Sequence, residues 1–274
     1  MRIARLGSGP VIVPDMDQRM GANINGPSLI RLPDWVPAPL GRYYLYFADH
    51  NGSYIRLAVA DRIEGPWRTH EPGVLDLGQS GGFIDHIASP EIFIDEKRRE
   101  MRLYFHGPIS RGADGEFVQK TRVALSRDGL AFEVLPDLLG PSYFRVFEQG
   151  GVFFALARSG ELLRSGHGLA PFESAGVPAG LPDGIRHVGL WRRSAERMTV
   201  FYTVIGDAPE AIWSADLALA GDWRGWKAQS PHLHLRPEHA YEGADQSVAP
   251  SERGAINVPV NQLRDPDILV DRDG

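Results

Sequence analysis

The chain contains no cysteine, which excludes disulfides and thiolate-ligated metals and leaves the redox compartment open. It is also poor in net basic charge. Its 29 Lys and Arg stand against 35 Asp and Glu, a net charge of −6, so it has no electrostatic footprint for the phosphates of a nucleic acid. No stretch approaches the ~20 apolar residues of a membrane span, and no membrane partner is expected. Windows with a sustained 3.6-residue apolar period are missing, which argues against helix as the main element. The first seven residues, Met1 to Gly7, carry no apolar core of signal-peptide length, and a cytoplasmic location is the default expectation.

Glycine and proline are plentiful, 31 and 21 residues, as a fold of many tight turns requires. Between them lie aromatic and β-branched runs of strand length, and these runs repeat. Gly26-Pro27-Ser28-Leu29-Ile30 recurs as Ser89-Pro90-Glu91-Ile92-Phe93, as Gly140-Pro141-Ser142-Tyr143-Phe144 and as Asp265-Pro266-Asp267-Ile268-Leu269, with a weaker copy at Arg186-His187-Val188-Gly189-Leu190. The first copy is followed by the apolar run Tyr43 to Phe47, a second run Ile55 to Ala60, and the turn Glu64-Gly65-Pro66-Trp67. The next three copies keep that order and close on Phe132, Phe172 and Trp223. Each unit reads as three strands and an aromatic-bearing turn.

Five copies of blade length predict one all-β domain over residues 1–274, a five-bladed β-propeller. The expected blades are 23–77, 84–138, 139–180, 184–230 and an incomplete 261–274. In the last, Asp265 to Val270 reads as a first strand and Asp271 to Gly274 as the turn after it, so the last blade reads as truncated. Residues 240–262 read as a long irregular loop, the kind of segment that carries function on such scaffolds.

In a propeller the first strands line a central channel, and the loops beside them share one face. That geometry collects Asn25, Asp85, His86, Glu91, Arg186, His187, Arg264 and Asp265 from around the first strands. It adds Asp49, His50, Asn51, His106, Arg158, Asp207 and Glu210 from the loops between second and third strands. Arg145 is positioned to hold hydroxyls or an acidic sugar, and Glu242 reaches in from the long loop. A concave polar site on a rigid scaffold is a ligand-site expectation.

These residues also have structural readings. Asp265 before a proline can begin a strand, and Asp85-His86 can order a loop. Asp49-His50-Asn51-Gly52 can be a hairpin turn, and His187 can be a packed core histidine. The alternation Pro231-His232-Leu233-His234-Leu235 offers two imidazoles with no third ligand nearby in sequence, so no metal site is expected.

The prolyl repeat, the runs Tyr43 to Phe47 and Arg56 to Ala60, the turn Glu64 to Trp67, and the segments Ala88 to Ile92 and Arg264 to Ile268 together resemble the five-bladed β-propeller glycosidases, glycoside hydrolase family 43 and its relatives. The resemblance spans nearly the whole chain. It implies cleavage of a glycosidic bond by carboxylates in the channel, a carbohydrate substrate, and no cofactor beyond a channel calcium or sodium ion held by some relatives. The family's three carboxylates map only in part. Glu91 falls on the second position, Gly26 on the first, and the third copy has no glutamate at the acid position. Glycoside cleavage needs one protonated acid and one ionised carboxylate. Glu91 and Asp85 are the first candidates, with Asp265 and His187 assisting. A non-catalytic carbohydrate-binding propeller and a glycoside phosphorylase remain as alternatives.

Overall fold

The computed structural model describes residues 3–271. Its strands come in four groups of four. The first holds β1 (Ile24–Arg31), β2 (Tyr43–Asp49), β3 (Tyr54–Ala60) and β4 (Arg68–Asp76). The second holds β5 (Ala88–Asp95), β6 (Glu100–Arg111), β7 (Phe117–Ser126) and β8 (Glu133–Val134). The third holds β9 (Arg145–Gln149), β10 (Val152–Leu156), β11 (Leu162–Ser165) and β12 (Glu173–Gly176). The fourth holds β13 (Ile185–Ser194), β14 (Arg197–Val204), β15 (Ile212–Ala218) and β16 (Ala228–Leu235). Each group is one sheet whose strands neighbour one another in chain order. Among the described residues no helix is long and apolar enough to cross a membrane.

Two expectations change. Each sheet has four strands, not three, because the chain adds an outer strand after the aromatic turn: β4 follows Trp67 and β12 follows Phe172. β12 is largely exposed, and β4 is exposed or half-buried over its first five residues, so neither shows the apolar alternation that marks a half-buried strand. The fold is all-β with four blades, and no fifth blade forms among the described residues. Residues 261–270 make no strand; Glu210 and Gln262 form an isolated parallel bridge. A segment with no ladder partner leaves its backbone groups outside any sheet. The part of that expected blade at 272–274 lies outside the described residues.

The chain divides into two compact units, one of residues 11–154, 164–173 and 271, the other of residues 3–10, 155–163 and 174–270. The first unit buries one continuous apolar cluster that includes Tyr44, Tyr46, Ile55, Leu57, Leu103 and Phe105. Burying each such side chain stabilises the fold by about 1.5–3 kcal/mol.

The repeat has a backbone signature. Gly26, Ser89, Tyr143 and Asp265 have φ of 60°, 46°, 66° and 52°, the left-handed region that L-residues avoid. Only Gly26 meets it with glycine, and a Cβ there would also stand 2.9 Å from Ser89 Cα. This alignment corrects the third copy: its left-handed residue is Tyr143, so the repeat runs Tyr143-Phe144-Arg145-Val146, three residues later than the proline suggests. A β-bulge follows between Asn25 and Ser28, between Ala88 and Glu91, and between Ile185 and Val188. The bulges set Ser28 opposite Tyr46 and Glu91 opposite Tyr104. Both tyrosines are buried and reach into the next sheet's aromatic turn. Tyr46 Oη donates to Gly129 O at 2.9 Å, and Tyr104 Oη donates to Gly168 O at 3.0 Å. Each turn's aromatic side chain packs beside its clasp, Phe132 edge-on to Tyr46 and Phe172 edge-on to Phe144.

Candidate functional site

In the first unit the residues after the left-handed positions meet. Arg145, at 2% exposure, donates from Nη1 to Glu91 Oε2 at 2.6 Å and from Nη2 to Pro27 O at 2.9 Å. Nη1 also reaches Pro90 O and Nη2 reaches Tyr143 Oη. The Val146 N–H donates to Glu91 Oε1, and Ser28 Oγ approaches Glu91 Oε2 while accepting from the Ile92 N–H. One carboxylate and one guanidinium thus tie together β1, β5 and β9. A carboxylate hydrogen-bonded to an arginine is held in its ionised form, which suits a fixed negative charge better than a proton donor.

Nearby sequence candidates are also engaged. Asp85 Oδ2 lies 2.9 Å from His86 Nδ1, and Arg111 approaches its other oxygen at 3.9 Å. His86 is buried with its ring edge-on to Phe117. Asp85 sits at φ 70° with its side chain 40% exposed. Asn25 Nδ2 lies 2.5 Å from His50 Nδ1, and Asp49 Oδ2 accepts from the Asn23 N–H. His106 is buried beside the Tyr143 ring.

The second unit holds a separate charged cluster. Glu210 is fully buried, and Arg186 Nε lies 2.8 and 3.1 Å from its two oxygens. Arg264 Nε stands 3.2 Å from Glu210 Oε2. Arg186 also donates to Glu252 O and Gly254 O. Two guanidiniums share one buried carboxylate, and the Asp265 carboxylate lies close enough to act on Arg264 as well. Burial, then the neighbouring Arg186, draws the Arg264 guanidinium below its ordinary value. Beside this cluster His187 Nδ1 and Asp265 Oδ1 lie 2.5 Å apart, with side chains 18% and 14% exposed.

Two further candidates lie in this unit. Arg158 opens a 3-10 turn that packs on β13. Glu242 is clamped by Arg5, whose Nε donates to Oε1 at 2.6 Å, and accepts from the N–H groups of Glu238 and His239. Burial pushes the Glu242 carboxyl up, but the Arg5 and backbone hydrogen bonds outweigh it and bring the pKa down to about 2. In β16, His234 Nε2 stands 2.7 Å from Ser214 Oγ and its ring packs against His232.

Glu210 falls in the loop between second and third strands, where the repeat places it, but no local motif announces its buried pairing with Arg186 and Arg264. The Arg5–Glu242 pair spans the chain and has no local trace either.

Structural comparison follows from this architecture. The chain is similar to a structure of the glycoside hydrolase 130 family, described as mannoside phosphorylases containing glycoside hydrolases that target β-1,2 mannosidic linkages in Candida mannan; the TM-score is 0.62 at 11% identity, covering 90% of this chain and 84% of that one. It is similar to a thermostable family-43 glycoside hydrolase, with a TM-score of 0.55 and 17% identity over 77% of this chain and 76% of that one. An α-L-arabinofuranosidase from Lactobacillus brevis gives a TM-score of 0.53 at 11% identity, covering 80% and 75%. At these identities the likeness is one of fold, the all-β β-propeller. No protein-family profile matches the chain. In sequence it is 34% identical over 275 aligned residues to Uncharacterized protein R118 of Acanthamoeba polyphaga mimivirus, an alignment covering 89% of this chain and 76% of that protein. The chain therefore belongs to the family of that viral protein.

Proposed function

We propose that this protein is a glycosidase, a divergent relative of the propeller enzymes it resembles, and that the His187–Asp265 pair moves the proton. The observation that carries this reading is the 2.5 Å approach of Asp265 Oδ1 to His187 Nδ1, with both side chains partly accessible. A carboxylate this close to one ring nitrogen can orient the imidazole, and an imidazole can give a proton to a leaving oxygen and take one from water. Asp265 holds its carboxylate from a left-handed residue that precedes a proline, a disfavoured backbone of the kind that clusters at active sites. In this reading Glu91 supplies a fixed charge that orders three first strands, and Asp85, the more exposed carboxylate, remains a candidate second acid or base.

The test is an NMR time course on arabinofuranosides, xylosides, β-1,3-galactosides and β-1,2-mannosides, each with and without phosphate. Turnover is expected from the wild type, and a His187→Ala loss of about 10²–10⁴-fold, the contribution of a positioned acid or base. Retention of activity within tenfold in that variant overturns the assignment of His187. Phosphate-dependent turnover moves the protein to the phosphorylases.

A second reading, saccharide binding without turnover, is favoured by the engagement of Glu91 with Arg145. It predicts saturable binding and a silent time course.

A further inference from the structure

We propose that the open cleft between residues 240–246 and 259–264 is a saccharide subsite, with Tyr241 as its stacking platform. The inference rests on the glycan reading above and extends it to a place in the second unit that the His187–Asp265 pair does not occupy.

The cleft is a surface depression of about 650 Å³ lined by Tyr241, Asp245, Gln246, Gln262, Leu263 and Arg264, among others. Its walls are fixed by the backbone. Gly243 has φ 79°, and a Cβ there would stand 1.9 Å from Val260 O, so the two segments touch main chain to main chain. Asn261 Nδ2 donates to Gln246 O at 3.1 Å and ties the walls a second time. The 3-10 turn Ala240–Glu242 is held from behind by the Arg5 clamp on Glu242.

That turn presents an aromatic ring that is exposed and stacked on a neighbouring ring. Tyr241 is 43% exposed, and its ring is stacked on His239 with centroids 5.2 Å apart and planes within 7°. A tyrosine normally turns its apolar body inward; here one face lies against the imidazole. A pyranose has an apolar C–H face suited to such a ring and a rim of hydroxyls. The cleft offers polar partners for those hydroxyls: the amides of Gln246 and Gln262, the Asp245 carboxylate and the Arg264 guanidinium. Arg264 donates to Gln262 Oε1, and Gln246 Nε2 donates to Asp245 Oδ1, so these groups are already oriented before a ligand arrives. Preformed walls and locked polar groups spare the ordering cost that weakens binding. Arg264 also joins the cleft to the Glu210 cluster, so occupancy here bears on the charge next to Asp265.

The experiment is calorimetric titration of the full chain with xylohexaose, β-1,3-galactotriose and β-1,2-mannotriose. Tyr241→Ala and Gln262→Ala are compared with the wild type and with His187→Ala. Tyr241 is exposed, so its replacement is expected to leave the melt within about 1 °C, since surface substitutions change stability little. The expected result is binding of at least one of these saccharides, weakened tenfold or more by Tyr241→Ala and three-fold or more by Gln262→Ala, with His187→Ala binding retained. Wild-type binding unchanged by Tyr241→Ala overturns the subsite and leaves the glycan reading standing. Absence of wild-type binding to all three overturns the subsite. Turnover in the NMR panel then decides the glycan reading separately.

Discussion

Replacing Glu91 with Gln separates its two possible roles. Arg145 is almost wholly buried, and its charge is matched by one carboxylate at 2.6 Å with the carbonyls of Pro27 and Pro90 around it. Removing one partner of a buried ion pair costs about 3–5 kcal/mol because the other charge stays behind. The Glu91 side chain is 13% exposed and glutamine still accepts a hydrogen bond, so the loss falls at or below the lower end, about 2–3 kcal/mol. With an unfolding entropy of about 2.1 cal/mol/K per residue, a chain of this length loses about 1.7 °C of melting temperature per kcal/mol. A thermal melt of Glu91→Gln is therefore expected about 4–5 °C below the wild type. The paired variant Glu91→Leu with Arg145→Met removes both charges and is expected to melt above either single variant. An unshifted melt with abolished turnover would refute this reasoning and make Glu91 a catalytic acid or base.

Other perturbations probe other levels. Tyr46→Phe leaves Gly129 O without its buried donor and is expected to cost about 1–3 kcal/mol, read as a denaturant midpoint shift at constant slope. Gly243→Ala drives a methyl into Val260 O and takes a left-handed φ. A cost of at least about 2 kcal/mol is expected, and a melt equal to the wild type would show that the cleft walls can separate. Glu242 has a folded pKa of about 2 against an ordinary 4.5. Its stabilisation is thus fully present above about pH 4.5 and lost as pH falls towards about 2. With solvent screening at this partly exposed pair the contribution is about 1 kcal/mol. Glu242→Gln is expected to flatten that part of the stability–pH curve, as measured by chemical denaturation.

Strand identity was legible wherever a strand is buried. Tyr43 to Phe47, Ile55 to Ala60 and Met101 to Phe105 are apolar because two faces or a tight partner cover them. The outer strands were not legible, because Glu133–Val134 is two residues long and Glu173–Gly176 is polar. The prolines located the first strands at Ser28 and Glu91 but misplaced the third. What repeats is a left-handed backbone residue, and at Tyr143 the residue that follows is Phe144, not proline. Of the candidates named from the repeat, Asp85, His86 and Glu91 lie at the start of β5 and His187 near the start of β13, whereas Asp265 begins no strand and His106 lies within β6. Long-range partners were not legible, because Arg145 lies 54 residues from Glu91 and Arg5 lies 237 from Glu242. Such pairings are fixed by the folded chain alone.

The tyrosine clasps bear on how such a chain can change its number of sheets. Tyr46 and Tyr104 each reach forward to a glycine carbonyl in the turn of the following sheet. The second sheet, which sends out Tyr104 and receives Tyr46 in its own turn, therefore carries one outgoing hydroxyl and one incoming turn. A copy of that sheet placed beside it would remake the junction it interrupts, because repeats of this kind hold together through nearest-neighbour contacts.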